Sequence, residues 1–265
     1  MLFPRAVNVY ITNDCVLECS HCFIVNRCST PNYLELEKFK EIVNICSKNK
    51  VFLFSISGGE PLLHPDFFDM IKYVRKNNML PFIGISGINI SNTQIEMLAD
   101  CNIGCVQVSL DGIDEKTNAI YRKKLIFKET LENIIKMQTK GIRVSIATCI
   151  CNENYYLLEK LLELFWSIKA HKVKVQFYTK ENNNSPHNEI KSSEKKEVIE
   201  KCHSFQVQNQ IKDWIQCEMI ETEPVLTYEN RLTIMSDGSV AFGELSESIG
   251  NIFQENLENI IKEIK

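Results

Sequence analysis

Apolar and polar positions alternate along this chain in a repeating order. Residues 7–11 form a short apolar run of strand type, and Leu36, Phe39, Ile42, Val43 and Cys46 then recur at the spacing of one helical face. The same couplet returns with predicted strands at 51–56, 81–85, 104–110, 143–149 and 173–178. Predicted helices at 66–76, 92–99, 128–139 and 155–168 lie between them. Alternation of this kind calls for a parallel sheet, and right-handed crossovers curl the series toward a barrel. The expected fold is therefore α/β, a partial (β/α)6 TIM-like barrel over residues 1–180.

After the polar stretch 180–186 the pattern changes. A polar helix is expected near 193–208, then a hairpin of 231–235 with 239–242 turning at Asp237-Gly238, and a last amphipathic helix at 257–264. Residues 187–265 read as a C-terminal α/β-hairpin extension, an appendage to the barrel. Sequence repeats and low-complexity arrays are absent.

Composition narrows the classes. The formal charge of −4 over 265 residues gives no basic footprint, so a nucleic-acid partner is not expected. No charged region with a long apolar core precedes the first strand and no apolar run of about 18 residues follows, so no membrane partner and a soluble, cytoplasmic protein are expected. Eleven cysteines are many, and odd in number, in a chain too large to need staples. Thiol or metal chemistry in a reducing compartment accounts for them better than a disulfide framework.

Three of these cysteines concentrate the chemistry. Cys15, Cys19 and Cys22, in Asp-Cys-Val-Leu-Glu-Cys-Ser-His-Cys after the first strand, can converge on one metal centre. They are one ligand short of a closed zinc site or an all-cysteine cluster, which points to a cluster with one open iron. The competing reading is structural zinc with Cys28 or His21 as fourth ligand. After the second strand comes Gly58-Gly59-Glu60-Pro61, whose glycines permit close backbone approach and whose proline stiffens the exit. Any βα turn could carry such a tetrapeptide. Here it and the cysteine loop both follow strand carboxyl ends, where barrel active sites are built.

Together these two segments resemble the radical S-adenosylmethionine enzymes, a resemblance covering residues 7 to about 178. It implies that Cys15, Cys19 and Cys22 bind a [4Fe-4S] cluster, and that S-adenosylmethionine chelates the fourth iron through its methionyl amine and carboxylate. It also implies that the turn Gly58, Gly59, Glu60, Pro61 binds the methionine amino group. Ser109, Asp111 and Arg122 sit in and after Ser-Leu-Asp-Gly and look like the serine and arginine that many peptide-modifying members use on ribose and carboxylate. Ser86 is a further candidate for adenosine contact. Cys28 is read as a loop residue and Cys46 as core, with Cys101 and Cys105 at the opposite barrel end.

Residues 231–252 resemble the SPASM or twitch extension, with Gly243 where that pattern expects cysteine. Only Cys202 and Cys217 stand upstream, so a fully cysteine-bound auxiliary cluster cannot be built from the tail. The resemblance implies reductive cleavage by a low-potential electron donor such as flavodoxin or ferredoxin. A 5′-deoxyadenosyl radical would then abstract a hydrogen atom from a peptide. Without a second electron acceptor, redox-neutral outcomes such as epimerisation gain weight, with Cys217 as first candidate hydrogen-atom donor and Cys149 or Cys151 next. The alternatives are a small-molecule substrate (a sugar, nucleoside or amino acid) and a zinc-stabilised binding module without turnover.

Overall fold

The computed structural model describes residues 3–24, 32–180, 186–217, 231–243 and 247–262. Six strands form the parallel body of one sheet: β1 (Ala6–Tyr10), β2 (Leu53–Ser57), β3 (Leu80–Ile85), β4 (Cys105–Ser109), β5 (Val144–Ile150) and β6 (Val173–Phe177). They pair side by side in chain order. Between them run α1 (Leu36–Lys48), α2 (Phe67–Lys76), α3 (Asn92–Asp100), α4 (Glu115–Arg122), α5 (Phe127–Thr139) and α6 (Leu158–Ser167). The expected partial barrel is present. Helix α4, not foreseen, is an extra element between β4 and α5, capped by Asp114, whose side chain accepts the Thr117 N–H.

Strand alternation separates two faces. Phe54, Ile56, Ile83, Val106, Val108 and Ile146 are fully buried in the same core as Phe39, Met70, Leu98 and Ile134 from the helices. The alternate positions Ser55, Ser57, Gly84, Gln107, Ser109 and Ser145 are half-buried and turn to the other face.

The tail does not hang from the barrel as an appendage. Its helix α7 (Ser192–Gln208) leads to β7 (Ile215–Cys217), which pairs parallel with β6. Then β8 (Arg231–Ile234) pairs parallel with β1 and antiparallel with β9 (Ser239–Phe242), and β9 with β10 (Gly250–Asn251), before α8 (Leu257–Lys262). The ten-stranded order is β10-β9-β8-β1-β2-β3-β4-β5-β6-β7. Both open edges of the six-stranded body are thus covered by tail strands, which satisfies backbone groups that would otherwise template aggregation. The hairpin turn is as expected, with Gly238 at φ 84° and its N–H donated to Met235 O at 2.9 Å. The linker core 181–185, Cys28 and residues 263–264 of the last predicted helix lie outside the described residues.

At the base of the barrel one device recurs. Two residues past the ends of α1, α2, α3, α5, α6 and α7 stand Lys50, Asn78, Asn102, Gly141, Lys169 and Gln210, all at positive φ. After α1 the Val51 N–H reaches Cys46 O at 2.9 Å and the Lys50 N–H reaches Ser47 O at 3.0 Å, the Schellman pattern. The same pair of bonds closes α2, α5, α6 and α7. This is why the second strand begins at Leu53 and not at residue 51: Val51 belongs to the cap. No described helix is long and apolar enough to cross a membrane.

Candidate functional site

The carboxyl ends of β1 to β5 form the mouth. From β1 the chain runs through Thr12, Asn13 and Asp14 into the cysteine loop, and the Gly58-Gly59 turn lies directly against this run. The Gly59 N–H donates to Thr12 O and the Glu60 N–H to Asp14 O, both at 2.7 Å. A Cβ on Gly58 would stand 2.6 Å from Thr12 O, and one on Gly59 2.1 Å from Asp14 O. The paired glycines therefore admit the backbone that carries the cysteines; the close approach expected for a ligand is made by the chain itself.

Glu60 is buried at 2% exposure. Its Oε2 accepts the Ser86 N–H at 2.9 Å and the Ser86 hydroxyl, and its Oε1 accepts the Leu62 N–H at 3.4 Å. All three donors are neutral. Burial holds the Glu60 carboxyl above the usual carboxylate range, opposed by the Ser86 bonds. Ser86 thus meets Glu60, a pairing of two site candidates from different strand ends that spacing alone did not reveal. Pro61 starts a short 3-10 turn, Pro61–Leu63, that fixes the exit.

Cys15 and Cys19 pack with Leu17, Ile88 and Ile126, and Cys22 with Tyr10, Ile24 and Met235. Burial pushes the Cys15 thiol up to about 11 and raises Cys19 as well, the latter moderated by Arg122. Such thiols become thiolates only when a cation supplies the missing charge. A tetrahedral zinc ion would draw its ligand atoms to edges of about 3.8 Å. Among the described residues the trio of candidate ligand atoms lying within 4.8 Å of one another is Cys151, Glu153 and His187, and not the loop cysteines. Three thiols from one loop, partly buried among apolar side chains and with the Arg122 guanidinium beside Cys19, are the donor set of a [4Fe-4S] group, which the residues present therefore fit.

Asp111 is the hub of the next strand end. It is fully buried, and its Oδ2 lies 2.6 Å from Arg122 Nη2 and 3.4 Å from His21 Nε2. Its Oδ1 accepts the Cys149 N–H at 2.8 Å, and its own N–H goes to Asn118 Oδ1 at 3.1 Å. Arg122 also sets Nη1 3.5 Å from Cys19 Sγ. Burial would lower the Arg122 pKa, but Asp111 and Cys19 more than offset this and raise it. The structure brings Asp111 and Arg122 to the cysteine loop, while Ser109 ends β4 half-buried beside Ala147.

Cys217 stands apart. Its thiol lies against that of Cys202 on α7, and its strand register is with Val175, inside β6, not with the strand end. It faces the helix layer, away from the strand ends that carry the other candidates. Cys149 and Cys151, by contrast, pack with Tyr121 and Tyr178 at the mouth. None of the ten described cysteines is in a disulfide. Sequence reasoning missed Asn154, buried at 1% exposure, which donates Nδ2 to Asp111 O and Cys149 O and accepts the Cys151 N–H. It also missed Lys124, whose Nζ reaches Val16 O at 2.6 Å. Neither carries a local signal; Asn118, whose Oδ1 accepts the Asp111 N–H, is the one further residue that an i, i+4 spacing from Arg122 points to.

Comparison with known proteins gives the same outline. Pre-heme d1 synthase of Dinoroseobacter shibae is 26% identical over 163 residues, 61% of this chain and 40% of the relative. Mycofactocin maturase MftC of Mycobacterium tuberculosis is 27% identical over 146 residues, 54% of this chain and 37% of the relative. The match thus spans about two fifths of these relatives' own length. Streptococcus suis SuiB bound to precursor peptide SuiA shares the fold with a TM-score of 0.83 at 18% identity, covering 98% of this chain and 65% of that one. The family model described as the radical SAM superfamily matches residues 9–165, more than half the chain, from the cysteine loop through the strand ends just described. Members of that family use a [4Fe-4S] cluster and S-adenosylmethionine, and this chain belongs to the radical SAM superfamily.

Proposed function

We propose that this protein reductively cleaves S-adenosylmethionine at a cluster held by Cys15, Cys19 and Cys22, and modifies a peptide. When bound, the cluster and S-adenosylmethionine supply, for one electron taken in, methionine and a 5′-deoxyadenosyl radical able to abstract a hydrogen atom. The protein's part is to bind, orient and exclude water. Glu60 carries the reading: a buried carboxylate with only neutral partners, beside the cysteine loop, is suited to an ammonium, such as that of a methionyl group. Arg122, tied to Asp111 and to Cys19 Sγ, offers positive charge to a ligand carboxylate at the same loop. Ser86 and Ser109, at adjacent strand ends, are assigned to the nucleoside.

The peptide reading is supported by SuiB, whose structure is described with a precursor peptide, and by MftC, named a maturase. On this reading residues 187–265 guide the peptide, since their strands flank the sheet on both sides. With Cys217 turned to α7, Cys149 becomes the thiol placed to return a hydrogen atom in an epimerisation. A small molecule is the second reading, favoured by the likeness to pre-heme d1 synthase.

The deciding measurement is anaerobic. Reconstituted protein with dithionite should form 5′-deoxyadenosine, and a precursor peptide encoded beside its gene should raise the yield several-fold. A rise with small molecules only would select the second reading, and a protein that binds zinc alone and cleaves nothing would reject both.

A further inference from the structure

A second cluster of ligand-type side chains stands beside the cysteine loop. Cys151 and Glu153 follow β5, and His187 lies on the return toward α7, with their ligand atoms all within 4.8 Å of one another. His187 Nδ1 is 3.5 Å from Glu153 Oε2. Tetrahedral zinc, with bonds of about 2.0 to 2.3 Å, sets ligand atoms about 3.3 to 3.8 Å apart. One edge already has that length, and the others lie within 4.8 Å. Cys151 and His187 are buried at 1% and 4% exposure, and Glu153 Oε2 is a buried atom without a hydrogen-bond partner among the described residues.

The outer contacts accommodate the tautomer that a metal needs. The Ser20 hydroxyl lies 3.1 Å from Ile120 O and 3.2 Å from Tyr121 O, so its single proton is directed at these carbonyls. It lies 2.6 Å from His187 Nε2 and, turned to those carbonyls, is open to accept a proton from that ring nitrogen. In the tautomer with Nε2 protonated, the Nδ1 lone pair stands 3.5 Å from Glu153 Oε2. A lone pair and a carboxylate at this distance repel unless a proton or a cation stands between them. A second hydrogen bond fixing the free ring nitrogen is the usual support of a metal-bound histidine.

We propose that Cys151 Sγ, Glu153 Oε and His187 Nδ1 bind one zinc-class divalent cation, with water completing the tetrahedron. The mixed sulfur, nitrogen and oxygen set suits zinc and excludes the all-oxygen preference of calcium or magnesium. Binding releases the Cys151 thiol proton to solvent and changes no oxidation state. The cation would tie the end of β5, the approach to α7 and, through Ser20, the cysteine loop into one unit.

The test measures zinc and iron together. Cluster-reconstituted protein, exposed to zinc chloride and desalted, should retain one zinc per chain beside about four iron. Glu153→Gln, which keeps the shape, and Cys151→Ser should each weaken zinc retention at least about tenfold, with iron unchanged. A Cys15→Ala, Cys19→Ala, Cys22→Ala triple variant should still hold one zinc, with X-ray absorption showing one sulfur at about 2.3 Å and nitrogen or oxygen at about 2.0 to 2.1 Å. Absence of zinc from the iron-loaded protein would overturn the proposal. So would zinc that disappears only when the loop cysteines are replaced, or that survives Glu153→Gln and Cys151→Ser undiminished. Any of these results leaves 5′-deoxyadenosine formation, and hence the radical reading, standing on its own measurement.

Discussion

The two ends of the barrel are built by different means. At the base, six helices end in a residue at positive φ, and five of those ends share the same pair of bonds spanning three and five residues. At the mouth every loop differs, and its bonds run far along the chain: Glu60 to Ser86, Cys19 to Arg122, Asp111 to Cys149, Ser20 to His187. The base is local and repetitive, so each turn stands alone. The mouth is a set of buried polar groups that depend on one another, where losing one partner leaves another unsatisfied. Changes at the base should therefore shift stability in small independent steps, and changes at the mouth should affect chemistry and stability together.

The sharpest break in that contrast is Cys19→Ala. It should abolish cluster assembly and all S-adenosylmethionine cleavage, and an unaltered cleavage rate would refute the assignment of the loop. Asp111→Asn comes next. It leaves the Arg122 guanidinium buried without its counter-charge, at an expected cost of about 3 to 5 kcal/mol in urea unfolding. Adding Arg122→Met should recover much of that loss while cleavage stays impaired. Recovery of both would mean that Arg122 serves only the fold.

At the base, Lys169→Gly should raise stability by about 0.5 to 1 kcal/mol by relieving a left-handed residue at an exposed cap, and leave iron content unchanged. A fall in iron loading would show that the two ends are coupled. The smallest effect is expected from His64, buried at the rim, whose Nδ1 accepts the Asp66 N–H and whose Nε2 is 3.0 Å from Leu34 O. Burial lowers its pKa in the fold, so the unfolded chain takes up the proton first as pH falls. Its contribution is present above the ordinary histidine value of about 6.5 and is lost below it. Melting temperatures of His64→Gln should accordingly decline less than those of the parent between pH 7 and 5.

Much of this was legible from residue order, for reasons that can be named. Strands and helices of a parallel barrel announce themselves through periods of two and 3.6, because each buries one face. Cys15, Cys19 and Cys22 are legible as candidate ligands because metal ligation demands thiols at short spacing within one loop. Gly58 to Pro61 is legible as a turn, yet its glycines make way for residues 12–14, a contact between two strand ends that no single segment contains. Helix α4 went unseen because it is short and polar, with Asn118 and Tyr121 as its buried residues.

By itself, then, the sequence determined the α/β alternation, the parallel order of six units and the three-cysteine loop after the first strand, since each rests on local spacing and on which side chains avoid water. Tertiary structure alone decided that tail strands cover both sheet edges, that Cys217 turns toward Cys202, and that Asp111 gathers Arg122, His21 and Cys149. Those outcomes follow from strand pairing and from the need to satisfy buried polar groups. Both bring together residues that lie tens to hundreds of positions apart in the chain, at distances no local pattern encodes.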